Sequence, residues 1–316
     1  MTKIQHQLTI DDRWHGTRLD QALAHELSHF SRNQVQDFIK EGGVRINNQV
    51  ITSQKHRLRL GDCVNIDIDH QPPTSKNLAQ NIPLDIAFED EHLIVIHKPA
   101  GQVVHPGAGN PDNTLVNALL HHDQRVESLP RAGLIHRLDK DTSGLIIAAK
   151  TQESYYKLVD AMKVRAIQRS YQAIVQGVMI SGGQVNAPIG RDPNHRTRMS
   201  VQLSGKDAIT DYRIIQRFLS HTHIHLKLHT GRTHQIRVHM HHIQFPIVGD
   251  PTYKRQTALK TPVSDSLAEA LKAFNRQALH ATELKFMHPI LNSPITLSSP
   301  LPSDMKQLIF LLNNEL

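Results

Sequence analysis

The chain has a single cysteine, few aromatic residues and no long apolar run, and these shortages exclude several classes of protein. Cys63 is the only cysteine among 316 residues, which excludes a disulfide framework and a cysteine-based metal cluster. Hydrophobic residues make up 39% of the chain, enough for a core, although only 4% are aromatic. No apolar run approaches the ~18 residues that cross a membrane, and the polar N-terminus lacks the apolar core of a signal peptide. The sequence therefore predicts a cytoplasmic protein with no membrane segment.

The charge of the chain is unevenly distributed. Lys and Arg number 36 against 29 acidic residues, which gives a net charge of +7 and favours a polyanionic partner. Residues 1–70 contain nine basic and nine acidic residues, so the whole excess lies in the remainder. We expect a polyanion to bind mainly to this larger C-terminal part.

The length and the residue pattern predict two domains joined by a linker. We expect an N-terminal domain at residues 1–70, with an extended arm at 1–15 and a core at about 17–70 made of two helices and a small sheet. Residues 71–82 are polar and contain two prolines, which is typical of a linker. The larger domain then covers residues 83–316.

The order of elements in the N-terminal part resembles the S4 RNA-binding domain. The motifs are Arg18-Leu19-Asp20, Ser31-Arg32 at the predicted start of the second helix, and Gly43-Val44-Arg45-Ile46-Asn47. The resemblance implies that four cations contact RNA phosphates, namely Arg18, Arg32, Lys40 and Arg45. The zero net charge of this part would suit the alternative, an ordinary solvated helix face. Phosphate binding depends more on local clustering of cations than on net charge, so we favour the RNA contacts.

The larger part is organised around His136–Leu145, which reads His-Arg-Leu-Asp-Lys-Asp-Thr-Ser-Gly-Leu. A Ser-Gly pair before an apolar run predicts a loop that enters a buried strand, so Asp139 lies on that loop. Nearby cations lower the pKa of a carboxyl group and keep it available as a nucleophile or base. A salt-bridged surface loop is the alternative for such a sequence.

Three further segments carry candidate binding residues. Tyr171 lies in a predicted strand, where a tyrosine is ordinarily a core residue. Arg232 and Arg237 lie at or near the start of a predicted helix, where backbone amides attract anions. The loop with Arg191, His195, Arg196 and Arg198 is either solvated or in contact with a polyanion.

Clustered histidines raise the possibility of a metal site and of a metal-dependent hydrolase. The candidates are His234, His239, His241 and His242. The position four residues after His234 is Val238, and no carboxylate follows until Asp250. This spacing favours packed or solvated histidines over a metal site, so we expect no metal.

Several separated motifs together resemble the RluA family of pseudouridine synthases. They are His136-Arg137-Leu138-Asp139 with Thr142-Ser143-Gly144-Leu145, then Tyr171, then Thr230-Gly231-Arg232-Thr233-His234-Gln235-Ile236-Arg237. Lys98-Pro99 and Pro246-Ile247-Val248-Gly249-Asp250 also match, and the resemblance covers about residues 83–300. The sequence departs from the family pattern at His97, Asn113, Arg169 and Gln244-Phe245.

The resemblance implies an α+β fold and an RNA isomerase that needs no cofactor. The fold would be a mixed, largely antiparallel sheet flanked by helices, with the active cleft along its middle. Asp139 would be the essential carboxylate, Arg237 would pair with it, and Tyr171 would stack on the flipped uracil. Phosphate contacts would come from Arg232, Lys98, Arg137 and the loop at 191–198.

The S4-like part and the run His105-Pro106-Gly107-Ala108-Gly109-Asn110-Pro111 resemble one branch of this family. That resemblance implies a monomer that acts on 23S ribosomal RNA or the assembling 50S subunit, at the stem-loop called helix 69. Two alternatives remain. One is a synthase for other 23S or tRNA uridines, and the other is a non-catalytic RNA-binding factor in ribosome assembly.

Overall fold

The computed structural model describes residues 2–27, 30, 32–70, 78–107, 109–195, 197–254 and 263–315. The chain divides into two compact units, Met1–Lys76 and Asn77–Leu316. Most of the predicted linker, residues 71–77, lies outside the described residues. Residues 78–82 are placed by the second unit, because the Asn117 side chain donates to the Leu78 carbonyl and the Gln80 amide donates to the Asn117 carbonyl.

The first unit consists of a four-stranded antiparallel sheet and two helices. Its described elements are β1 Thr2–Thr9, α1 Leu19–Glu26, α2 Arg32–Lys40, β2 Val44–Ile46, β3 Gln49–Val50 and β4 Cys63–His70. The strand order is β1-β4-β2-β3. Apolar residues of α1 and α2 form the core with those of β2 and β4, including Leu19, Leu23, Val35, Val44 and Val64.

The N-terminal residues do not form the arm that the sequence predicted. Strand β1 pairs with β4 along its whole length, from Thr2 opposite His70 to Thr9 opposite Cys63. The reason is the free edge of β4, whose backbone groups would otherwise lack partners on that side. The prediction of an arm was therefore wrong, and the sheet begins at residue 2.

The second unit is built on one large sheet. Its described strands are β5 Ile86–Glu89, β6 Leu93–Lys98, β7 Ser143–Ala149, β8 Gln168–Gln176, β9 Gly183–Asn186, β10 Ile189–Arg191, β11 Met199–Val201, β12 Ile209–Arg217, β13 His221–Leu228, β14 Leu279–Met287 and β15 Pro294–Ser298. Its described helices are α3 Leu115–His122, α4 Gln152–Lys163, α5 Gln235–His242, α6 Asp265–Ala273 and α7 Ser303–Asn313, with short 3-10 turns at Gln124–Ser128 and Pro130–Gly133.

The sheet order is β5-β6-β7-β14-β8-β13-β12-β9, with β15 also paired to β14, and β10 and β11 form a separate hairpin. Among the described strands, β7 and β14 pair in parallel and the other pairs are antiparallel. The α+β class with a mixed, largely antiparallel sheet is confirmed. Strand β7 is buried at all seven positions, as expected for a strand covered on both faces.

Helix boundaries follow the capping residues. Thr114 caps α3 in a reciprocal capping box with Asn117. Ser264 is the N-cap of α6, and its hydroxyl accepts a hydrogen bond from the Leu267 amide. Within the described part of the chain, no helix is long and apolar enough to cross a lipid bilayer.

Candidate active site

Asp139 lies on the loop that enters β7, and the backbone of this loop is held from several sides. The Thr142 amide donates to the Asp139 carbonyl at 3.1 Å, which closes a turn. The Lys98 Nζ and the Gly101 amide both donate to the Lys140 carbonyl, at 2.8 and 3.0 Å. These hydrogen bonds fix the backbone that carries the Asp139 side chain.

The end of this loop requires a glycine. Gly144 has φ +110° and pairs with Ala281 where β7 and β14 run in parallel. A Cβ atom at residue 144 would lie 2.2 Å from the Ala281 carbonyl oxygen, so a side chain has no room there. The Ser143-Gly144 pair in the sequence thus sets how closely the Asp139 loop approaches the sheet.

Arg237 on α5 is held between two carboxylates. Its Nη1 donates to the Asp139 Oδ2 at 3.0 Å. Its Nε and Nη2 donate to the two oxygens of Asp250 at 2.6 and 2.8 Å, in the bidentate arrangement that fixes a guanidinium plane. Arg237 and Asp250 are buried, while the Asp139 side chain keeps 16% of its surface exposed. Asp139 can therefore contact a ligand while it is paired with Arg237.

Asp250 and Tyr253 complete the support beneath Arg237. Burial acts to raise the pKa of Asp250, but the hydrogen bonds and charge of Arg237 outweigh it and hold that pKa below its ordinary value. The Tyr253 ring lies 5.1 Å from the Arg237 guanidinium carbon, and its hydroxyl is bonded to the His234 Nδ1 at 2.9 Å. These contacts fix the guanidinium before substrate arrives.

Tyr171 comes from β8, which is separated from β7 by β14 in the sheet. The side chain is 4% exposed. Burial raises the pKa of the Tyr171 hydroxyl, although the Arg169 charge opposes this effect and the Asp139 charge adds to it, so the hydroxyl is neutral at physiological pH. Tyr171 thus lies on a middle strand of the sheet, whereas Asp139 lies on the loop that enters β7 and Arg237 lies on α5.

Asp139, Tyr171 and Arg237 line one small cavity of about 50 Å³. Its apolar walls are formed by Leu138, Leu228, Ile236 and Leu279. A volume of 50 Å³ holds about one or two water molecules. The cavity shares Arg137, Asp139, Tyr171, Leu228 and Arg232 with a neighbouring groove of about 410 Å³. A bound base would therefore occupy the cavity and part of this groove.

The remaining predicted residues of this unit fall into two groups. Arg137 and Arg232 are exposed and line both the cavity and the groove, where they can meet an RNA backbone. Lys98 is 1% exposed, and its Nζ donates to the carbonyls of Pro99, Gln102 and Lys140. The predicted phosphate contact does not fit this burial. Lys98 instead holds the Asp139 loop in place.

Burial lowers the pKa of Lys98 to about 7, although the charges of Asp141 and Asp139 act in the opposite direction. The three carbonyl oxygens around its Nζ match the three hydrogens of an ammonium group. Protonated Lys98 can thus satisfy all three acceptors at once.

The predicted basic loop lies beside the site. Arg198 stacks over Tyr253, with its guanidinium carbon 5.3 Å from the ring centre, and Arg191 shares a cavity of about 440 Å³ with Arg232. Arg196 lies outside the described residues. The position of this loop is compatible with the predicted polyanion contact.

The clustered histidines do not share one environment: His239 is buried, His234 and His241 are half-buried, and His242 is exposed. His239 uses Nδ1 with the Thr210 hydroxyl and Nε2 with the Ala187 carbonyl. Within the described residues, no group of three or more His, Cys, Asp or Glu side chains is placed to hold a metal ion. The placement of these histidines thus gives no support to a metal-dependent hydrolase.

In the first unit, the buried Asp20 forms ion pairs with two of the four cations that were predicted to contact RNA. Arg18 donates to both its oxygens at 2.9 and 3.0 Å, and Arg32 donates to its Oδ2 at 2.8 Å. Lys40 lies at the other end of α2 and pairs with Asp37, and Arg45 is exposed on β2. The structure therefore brings Arg18 and Arg32 together and leaves Lys40 apart.

Sequence reasoning missed the role of Asp250. The motif Pro246 to Asp250 was noted without a function for its carboxylate. Asp250 lies 13 residues after Arg237, beyond the three or four residues within which helix periodicity relates side chains. Its position at the end of a recognised motif was the available signal.

A larger cavity of about 840 Å³ is lined by Lys98, Arg276, His280 and the segment 299–304, among others. It contains none of Asp139, Tyr171 and Arg237. The small cavity with the paired carboxylate is the better candidate for chemistry, because the charged and aromatic side chains converge there.

Comparisons with known proteins agree with this geometry. Residues 92–242 match the family model of RNA pseudouridylate synthase, and residues 17–64 match the S4 domain. The ribosomal large subunit pseudouridine synthase D of Xylella fastidiosa is 46% identical over 309 residues, covering 98% of this chain and 93% of the relative. The protein of the same name in Escherichia coli K12 is 44% identical, covering 97% of this chain and 94% of the relative.

Solved structures show the same fold. Human RNA pseudouridylate synthase domain containing 4 has a TM-score of 0.57 and 25% identity, covering 72% of this chain and 93% of that one. Human RNA pseudouridylate synthase domain containing 1 has a TM-score of 0.54 at 22% identity, covering 75% and 97%. With relatives above 40% identity over nearly its whole length, the chain belongs to the RNA pseudouridylate synthase family, and it is an isomerase with an S4 domain in its N-terminal part.

Proposed function

We propose that the protein converts uridine to pseudouridine in large-subunit ribosomal RNA and that Asp139 is the catalytic residue. The observation that carries the proposal is the Asp139 carboxylate, held by Arg237 in a cavity that Tyr171 also lines. The substrate class is supported by relatives whose name is ribosomal large subunit pseudouridine synthase D.

The reaction moves the uracil from one attachment atom to another. The bond between N1 and C1′ breaks, the uracil rotates, a bond forms between C5 and C1′, and the C5 hydrogen leaves as a proton while N1 gains one. Substrate and product contain the same atoms, so no co-substrate is consumed. An ionised Asp139 can add to the base, attack C1′, or remove the 2′ proton, and each role needs the same placed carboxylate.

The cavity favours a base that has left its stack. A uracil within a stacked helix cannot reach a carboxylate in a pocket, so the nucleotide has to be extruded first. Apolar walls and the flat ring of Tyr171 suit one face of a base, as aromatic side chains do in single-stranded RNA recognition. Movement of the exposed Arg137 would enlarge the small cavity toward the groove.

We further propose helix 69 of the large subunit as the target, with 23S RNA or the assembling 50S subunit as partner. Exposed bases of a stem-loop are easier to extrude than paired bases. The S4 unit would add phosphate contacts through Arg18, Arg32, Lys40 and Arg45, and the Asp20 carboxylate orients the first two of these. A cytoplasmic monomer fits this proposal.

Mapping of pseudouridines in ribosomal RNA tests the target. RNA is compared from cells that lack the protein, cells that carry it, and cells that carry Asp139→Asn. We expect pseudouridines in helix 69 to disappear without the protein, to return with wild type, and not to return with Asp139→Asn. Loss of pseudouridine only elsewhere in 23S RNA or in tRNA would contradict the target. Unchanged pseudouridine everywhere, with a defect in subunit assembly, would support the non-catalytic alternative.

A further inference from the structure

The groove beside the active cavity has an unusual lining. Its volume is about 410 Å³, and its acidic residue is Asp139, which Arg237 already neutralises. Six basic side chains also line the groove, namely Arg131, Arg137, Lys163, Arg165, Arg169 and Arg232, and of these Lys163 is paired with Asp160. Such a surplus of cations in a concave surface creates a strongly positive potential.

Arg169 is the buried member of this set. It is 7% exposed, and its Nε is buried without a hydrogen-bond partner. Within the described residues, no carboxylate forms an ion pair with its guanidinium. A buried charge without a partner is costly, so such groups are normally paired or act on a ligand.

The neighbours of Arg169 leave its guanidinium in the lining of the groove. Gly231 leaves the space that the guanidinium fills, because a Cβ atom there would lie 2.9 Å from the Arg169 Nη1. On the other side, burial and the Arg169 charge lower the pKa of His136 to about 3, so that ring is neutral. His136 thus offers no countercharge, and the guanidinium remains a cation that faces the groove.

Arg169 and Tyr171 are two residues apart on β8, and their side chains therefore lie on the same face. The separation along the strand is about 7 Å, since each residue advances ~3.3 Å. A nucleotide whose base lies on Tyr171 would place an adjacent backbone phosphate within reach of Arg169. The exposed Arg131 and Arg165 stand at the rim of the same groove.

We propose that Arg169, with Arg131 and Arg165 at the rim, forms a binding subsite for one backbone phosphate next to the uridine that reacts. This inference rests on the proposed function, because it assumes that RNA occupies the groove. The subsite takes a phosphodiester through charge-assisted hydrogen bonds from the guanidinium. Arg169 then acts as a binding residue and takes no part in breaking the glycosidic bond.

The first test uses a synthetic RNA stem-loop of helix 69 sequence, in which one phosphate at a time is replaced by an uncharged methylphosphonate. Binding is measured with Asp139→Asn, so that no turnover occurs, and with the same protein carrying Arg169→Gln. At one phosphate next to the target uridine, the replacement should weaken binding about tenfold for Asp139→Asn and less than about twofold for the double variant. Equal losses in both proteins at every position would overturn the proposal.

Salt dependence of binding to unmodified large-subunit RNA provides a test that does not need the helix 69 target. The slope of log K against log salt should fall in magnitude by about 0.7 with Arg169→Gln, as for one lost single-strand phosphate contact. Arg213→Gln removes an equal charge from an exposed position on β12 outside the groove, and its slope should stay at the wild-type value. If both variants keep the wild-type slope, the subsite does not exist.

Stability separates a binding role from a structural one. Arg169→Met removes a buried charge that lacks a partner, so its melting temperature without RNA should be equal to or above that of wild type. A marked fall in the melting temperature would assign Arg169 to the fold and overturn the proposal. If the wild-type protein does not modify helix 69 but Arg169→Gln still lowers the salt slope as predicted, only the proposed target is overturned.

Discussion

The chemistry of this site depends on how one guanidinium is shared. Arg237 gives one N–H to Asp139 and two to Asp250, so Asp250 is the stronger partner and Asp139 keeps lone pairs for substrate. With Asp139 as its single partner, the Arg237 guanidinium could rotate. The bidentate contact to Asp250 fixes the guanidinium plane. Asp250 is therefore a positioning residue that acts through Arg237.

Replacement of that partner should slow the reaction more than it weakens RNA binding. With Asp250→Asn we expect kcat to fall by about 10- to 100-fold, because a displacement of about 1 Å in a reacting group has an effect of that size. The Kd for RNA should stay within about twofold, since Asp250 is buried away from the groove. Single-turnover kinetics and RNA binding measure the two quantities.

The matched control for Asp250→Asn is Asp123→Asn, which removes a carboxylate that is paired with Arg125 and lies outside both the cavity and the groove. It should leave kcat unchanged. If Asp250→Asn keeps the wild-type kcat, then Arg237 does not need its second carboxylate, and the positioning role is wrong.

At the scale of elements, the site depends on where the Asp139 loop meets the sheet. Three strands, β7, β14 and β8, bring Ser143, Leu279 and Tyr171 close together. The parallel pairing of β7 with β14 is possible because residue 144 has no side chain. A change at this contact should act on both the fold and the placement of Asp139.

We expect Gly144→Ala to lower the free energy of unfolding by more than about 2 kcal/mol, through a clash with the Ala281 backbone and an unfavourable positive φ. Urea unfolding measures this loss. Gly107→Ala is the control, because no atom lies within 4 Å of a Cβ at that position and its φ is not positive. Equal stability of the two variants would contradict this prediction, because it would show that β14 can shift to make room for the added methyl group.

The sequence predicted the residues that line the active cavity better than the residues that hold them in place. Asp139, Tyr171 and Arg237 lie in separate motifs, and the resemblance joined them correctly in space. The resemblance implied that Lys98 contacts a phosphate, but its Nζ is enclosed by three carbonyl oxygens. The pairing of β1 with β4 was missed because the partners are about 60 residues apart, and local periodicity carries no information on such pairing.

For the whole molecule, the buried histidines contribute to its response to mild acid. Burial lowers the pKa of His105, His221, His223 and His280 to about 4 each, and that of His136 to about 3. The folded state keeps these rings neutral where the unfolded chain, with pKa near 6.5, binds protons. Their contribution to stability is therefore complete above about pH 6.5 and is lost as the pH falls toward 4.

The free energy of unfolding should therefore decrease between pH 6.5 and pH 4.5, by up to about 1.4 kcal/mol per pH unit for each such histidine. Urea unfolding at several pH values measures the slope. His280→Gln should reduce the slope, whereas His121→Gln, at an exposed position, should leave it as in wild type. Stability that is constant over this range would contradict the neutral, buried state of these rings.

The most direct test of the central claim is tritium release from large-subunit RNA labelled at C5 of uridine. Release reports the departure of the C5 hydrogen, and RNA binding is measured in parallel on the same proteins. Wild type should release tritium, whereas Asp139→Asn should release none while it binds RNA with a Kd within about twofold of wild type. Full turnover by Asp139→Asn would contradict the assignment of the carboxylate as the catalytic group.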